Sequence, residues 1–146
     1  MPRNGREKRD VPVRAAPALQ ILMAELERTE VFRSAADLHV VLRGAGHRTG
    51  LSTVYRHLHE LAVTGRVDCV RGESGERLFR LRHRNEHAHY LFCRRCGVGS
   101  EVGDDALERH LSQLGEGTGY SDVRHDLSLS GICSRCTTTT ADAHRR

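Results

Sequence analysis

Two cysteine pairs constrain this chain more than anything else in it. Cys93-Arg-Arg-Cys96 and Cys133-Ser-Arg-Cys136 are both C-x2-C, and 36 residues separate them. Zinc takes four ligands in a tetrahedron, and each C-x2-C knuckle delivers two thiolates from one tight turn. The intervening segment is longer than in a simple zinc ribbon, so it must contain structure of its own. Four thiolates fill the coordination sphere, so the expected site is closed and structural rather than catalytic. The competing readings are a dithiol redox pair or two disulfides. No run of the 146 residues approaches 18 consecutive apolar positions, and the basic N-terminus precedes no apolar core with a cleavage site. The expected compartment is therefore cytoplasmic, without a membrane span, and there stable disulfides are disfavoured.

The rest of the chain divides around these pairs. Residues 1–14 carry Arg3, Arg6, Lys8, Arg9 and Arg14 with little apolar material, and read as a disordered basic arm. Leu19, Leu22, Met23 and Leu26 recur at helical spacing and predict a first helix over roughly Ala16–Thr29. Ser34 opens a second helix, with Asp37 three residues on as its capping partner and Gly44 and Gly46 at its end. A third helix starts near Thr49-Gly50, with Leu51, Val54, Tyr55, Leu58, Leu61 and Ala62 on one side. Val67–Val70 and Glu76–Leu81 flank a glycine-containing turn and read as a hairpin. Three short helices followed by a hairpin is the layout of a winged helix-turn-helix, placed over residues 15–81.

Residues 82–86 are polar and make a hinge. The remainder, 87–136, reads as a small α/β unit. It has strands at His87–Phe92 and Val98–Val102, a helix at Asp104–Leu114, and last strands at Tyr120–His125 and Asp126–Ile132. Residues 137–146, with four consecutive threonines, are expected to be a disordered tail. The fold class is thus α+β.

Lysine and arginine exceed acidic residues, 23 against 19, and the pI is about 9.0, which is compatible with nucleic acid. A helix fits the major groove, where its N-terminal side chains reach base edges and phosphates. The third helix offers Ser52, Thr53, Tyr55, Arg56 and His57 there. Arg43, Arg48, Arg66, Arg71 and Arg77 are candidates to hold the backbone. An ordinary three-helix core with surface arginines would show the same pattern, and Tyr55 is spaced so that it could be partly buried.

A second constellation is His87-Ala-His89. Residues two apart on a strand share a face, so both imidazoles can converge on one ion. Glu108 and His125 are candidates to complete an N/O site, and His83, Glu101, His110 and Glu116 compete with them. Spacing does not choose among these.

Several segments together resemble the ferric uptake regulator superfamily. They are Phe32–His39, Gly50–Leu58, Gly65–Asp68, the His87–Cys96 run and Cys133–Cys136. Gly72-Glu-Ser-Gly-Glu76 and Gly119-Tyr-Ser-Asp122 are most similar to its zinc uptake regulator branch. The match covers roughly residues 15–136. The resemblance implies an N-terminal winged helix, a C-terminal dimerisation domain, a homodimer, and metal-dependent repression at palindromic double-stranded DNA. It assigns Cys93, Cys96, Cys133 and Cys136 to structural zinc, and His87, His89, Glu108 and His125 to a second, regulatory site. About two Zn2+ per subunit follow, one for each separate four-ligand set.

The chain departs from the zinc branch at one place. A further sensory site near the hinge, made of an Asp, a Cys and two His, is usual there. Asp68 stands at the first position, but Arg82, Ala88 and Tyr90 stand at the other three, so the site is expected to be lost, or rebuilt from Cys69 or His83. Three alternatives accompany a zinc-dependent repressor. One is a sensor of iron, manganese, nickel or peroxide on the same fold. Another is a regulator that has lost metal sensing. The third is a zinc hydrolase, disfavoured because four protein ligands leave no open water position; a non-enzyme is expected.

Overall fold

The computed structural model describes residues 17–83, 88–103 and 105–143. The basic arm at 1–14 and His87 lie outside the described residues.

The first half builds largely as its periodicity predicts, but Leu51 and Tyr55, expected on the apolar side of the third helix, are exposed, and His57 is buried there instead. Helix α1 (Pro17–Glu27) buries Leu22 and Leu26, and α2 (Ala35–Gly44) buries Ala35, Leu38 and Leu42. Ser34 caps α2 as expected: Asp37 N donates to Ser34 Oγ at 3.0 Å, and the Asp37 carboxylate accepts from Ser34 N at 3.3 Å. Helix α3 (Leu51–Val63) turns Val54, Leu58 and Leu61 inward. Burying each of these aliphatic side chains contributes about 1.5–3 kcal/mol. The core closes on the hairpin of β2 (Val67–Arg71) and β3 (Arg77–Leu81), through Val67 and Phe79.

One strand was not foreseen. Arg33–Ser34 forms β1, which pairs antiparallel with β3 and gives the sheet the order β1-β3-β2. Two residues are too few for any alternation to register.

The second half is a separate three-stranded sheet of order β5-β4-β6. Strand β4 (His89–Cys93) is central, antiparallel to β5 (Gly99–Val102) and parallel to β6 (Ser128–Gly131). Helix α4 (Asp105–Gly115) connects β5 towards β6. Two expectations are corrected here. Residues 120–125 form no strand: positive φ at Gly117, Gly119 and Asp122 bends the chain away from extended geometry. The expected tail instead forms α5 (Ser134–Ala143). Its threonines are poor helix formers, but Thr137 and Thr138 donate their hydroxyls to the carbonyls of Cys133 and Ser134, at 3.1 and 2.6 Å.

The two halves meet closely. Phe32 N donates to Gly97 O at 2.8 Å, and Val31 bridges to Val98. Arg80, buried in β3, donates to Gly99 O at 3.0 Å. At the tip of the hairpin, Glu73 pairs with Arg94 of the first cysteine knuckle at 2.9 Å.

Candidate metal centres and nucleic-acid interface

The four knuckle cysteines converge as their spacing predicts. Cys93 ends β4, Cys96 follows it by one turn, and Cys133 and Cys136 bracket the start of α5, with all four sulfur atoms within 4.8 Å of one another. A tetrahedral zinc site with bonds near 2.3 Å sets its sulfur atoms roughly 3.8 Å apart. Cys96 Sγ and Cys133 Sγ are 3.7 Å apart, which fits. The backbone N–H of Cys133 donates to Cys93 Sγ at 3.4 Å. That bond draws the Cys93 thiol down to about 6, against the opposing effect of burial. Cys136 is pushed up to about 12, first by its hydrogen bond with the Cys133 sulfur and then by burial. Four sulfur atoms this close cannot all ionise unless a cation lies among them, which is what zinc supplies.

The second cluster draws on three separate elements. His89 is buried at the start of β4, Glu108 lies in the first turn of α4, and His125 precedes β6. His89 Nε2 is 2.8 Å from Glu108 Oε1 and 3.2 Å from His125 Nε2, and His125 Nε2 is 3.3 Å from Glu108 Oε2. Donors about 2.1 Å from a tetrahedral ion lie roughly 3.4 Å apart, so the two longer separations match a shared ligand point. Of the candidates that spacing left open, Glu108 and His125 are the ones brought beside His89. Among the described residues, no group of three or more His, Cys, Asp or Glu side chains involves Glu101, His110, Glu116 or His83.

The hinge cluster is built differently. Asp68 on β2 is 5% exposed. One carboxylate oxygen accepts from Arg82 Nε at 2.6 Å, and the other accepts from the Tyr90 hydroxyl at 2.5 Å. Burial first, and then the Asp68 hydrogen bond, push the Tyr90 phenol up to about 12, which keeps it a donor. Cys69 turns elsewhere, accepting from Arg77 Nε at 3.2 Å, and His83 is exposed. Arginine thus supplies the positive charge beside Asp68. The resemblance set these three residues at one hinge site; their mutual hydrogen bonds, across 14 and 22 positions, were not foreseen.

On the other side of the winged half, α3 presents its N-terminal turns outward. Ser52, Tyr55 and Arg56 are exposed and Thr53 is half-buried, Tyr55 at 53%. His57 does not join them: it faces the core at 4% exposure, with Nδ1 donating to Glu60 at 3.2 Å. Arg43, Arg48, Arg66 and Arg71 are exposed around the same helix and hairpin. Arg77 is exposed but pinned by Cys69 and stacked over Phe79 at 5.0 Å.

A winged helix-turn-helix with an open helix N-terminus, joined to a small sheet that carries two clusters of side chains able to hold a metal ion, defines the class of metal-responsive winged-helix regulators. Within that class the chain belongs to the ferric uptake regulator family, whose model matches residues 12–130. It is 40% identical over 111 residues to the zinc uptake regulation protein of Mycobacterium tuberculosis, covering 76% of this chain and 85% of that one. It is 30% identical over 120 residues to the ferric uptake regulation protein of Neisseria gonorrhoeae, covering 82% and 83%. Among solved structures it is similar to a zinc uptake regulator complexed with zinc and DNA. That match has a TM-score of 0.69 and 26% identity, and covers 88% of this chain and 87% of the other. A ferric uptake regulator from Francisella tularensis, at TM-score 0.69 and 20% identity over 90% and 99% of the chains, shares the fold.

Proposed function

We propose that this chain is a zinc-dependent repressor that binds palindromic operator DNA as a homodimer. The carrying observation is the convergence of His89, Glu108 and His125 from three elements onto one point. His87, two residues before His89 in the sequence, is the proposed fourth ligand. The four cysteines are the proposed structural zinc site, which gives about two ions per subunit, one per ligand set. Zinc, when bound, supplies the charge and the tetrahedral fixing that hold the donors of each set together.

The chain's own residues do the rest. Leu91 and Leu129 are register partners on β4 and β6, and both are exposed, with Ile132 beside them. This apolar strip is the proposed dimer face. A two-fold dimer places two α3 helices about one helical turn of DNA apart, roughly 34–36 Å, or a multiple of it. Ser52, Thr53, Tyr55 and Arg56 are then the proposed groove contacts, with the surrounding arginines on phosphates. Metal strengthens binding only by favouring the DNA-competent arrangement, and a tenfold preference corresponds to about 1.4 kcal/mol.

The test is zinc content per subunit for the wild type and for His87→Ala/His89→Ala. The expected result is about two ions falling to about one, because each ligand set holds one. A variant that keeps the wild-type content refutes the second site. Imidazole and carboxylate also suit iron, manganese and nickel. The kinship with a ferric regulator keeps that reading in view, and competition titrations among these metals decide it.

A further inference from the structure

We infer that Tyr90 is a positioning residue that transmits the state of the His89–Glu108–His125 cluster to the winged half. This rests on the metal-responsive reading above. His89 and Tyr90 are consecutive on β4, so their side chains leave opposite faces of one strand. His89 turns to Glu108 and His125. Tyr90 turns to the winged half, and its hydroxyl donates to Asp68 on β2. Its ring meets Phe32 edge-on at 5.2 Å and lies 4.6 Å from the Arg80 guanidinium. Each of those partners belongs to the winged half.

The two clusters therefore share one stretch of backbone. A cavity of about 480 Å³ also runs between them, lined by Asp68, Cys69, Arg82, Tyr90, His125 and Asp126. His125 and Asp126 thus face β2 across open space rather than packing directly on it. An ion that fixes His89 and His125 fixes the pitch of β4, and with it the point from which Tyr90 reaches Asp68. A hydrogen bond to a buried carboxylate is short and directional, so this displacement is passed on to β2 and to α3 behind it. Coupling of this kind is a difference in DNA affinity between two metal states, and it is lost when the link is cut.

Tyr90→Phe cuts it selectively. The ring packing on Phe32 and Arg80 stays, and Arg82 still neutralises Asp68. The experiment measures zinc per subunit and affinity for a duplex selected from a random-sequence pool by the zinc-loaded wild type. Both forms are compared, with one and with two ions bound. The variant is expected to hold as much zinc as the wild type, while the affinity ratio between the two metal states falls about tenfold. A retained wild-type ratio, or a reduced zinc content in the variant, overturns the inference. A wild type whose affinity ignores zinc overturns the metal-responsive reading and this inference with it. Should Tyr90→Phe fail to fold, Asp68→Leu/Arg82→Met removes the acceptor together with its paired charge; the same fall in the ratio is expected, and a retained wild-type ratio overturns the inference.

Discussion

Replacing Gly97 by alanine tests how firmly the cysteine knuckle is seated against the winged half. Gly97 follows Cys96 directly and has φ +74°. A side chain in that region costs about 1–2 kcal/mol. An added Cβ would also lie 2.4 Å from Phe32 O and 2.6 Å from Val31 Cγ1, both well inside contact distance. Relief requires the Val31–Phe32 segment to move away, which stretches the 2.8 Å bond from Phe32 N to Gly97 O. Losing that bond adds about 0.5–1.5 kcal/mol. The total is about 1.5–3.5 kcal/mol. The assay is urea unfolding of the zinc-loaded protein at fixed concentration. With a slope of about 1–3 kcal/mol per molar, the midpoint falls by roughly 0.5–3.5 M. Zinc content stays at the wild-type value, because the knuckle thiols are untouched. A loss within about 0.5 kcal/mol, the size of an ordinary surface change, would refute the reasoning.

Three other predictions follow from single residues. Ser34→Ala removes the reciprocal cap of α2 and lowers stability by about 0.5–2 kcal/mol in chemical denaturation, whatever the zinc content. Arg56→Ala weakens duplex binding without changing zinc content; if the residue contacts phosphate, the dependence of affinity on salt falls by about one ion. Leu91→Asp places a charge in the exposed Leu91–Leu129 strip, and sedimentation then shows monomers at concentrations where the wild type is dimeric.

What the sequence announced was local. The Ser34–Asp37 cap, the hairpin with its glycine turn and the two cysteine knuckles each rest on residues a few positions apart, and each formed as its chemistry directs. The second candidate cluster was half legible. Strand alternation flagged the His87–His89 pair, but partners 19 and 36 residues from His89 carry no periodicity, and the family resemblance chose them. Where the reading failed, tertiary or backbone detail prevailed. Threonine hydroxyls returned to the helix carbonyls in α5. Left-handed residues broke up 120–125, and two residues of β1 were recruited by β3. The family resemblance placed Asp68, Arg82 and Tyr90 around one lost hinge site, but the hydrogen bonds that join them, across 14 and 22 positions, carry no sequence signal.

The most direct measurement is the affinity of the dimer for its selected duplex as zinc is raised from one to two ions per subunit at constant salt. Affinity that climbs with the second ion in the wild type, and stays flat in His89→Ala, is the outcome expected from a His/Glu cluster that controls a groove-reading helix. Equal affinity at one and two ions in the wild type would contradict it.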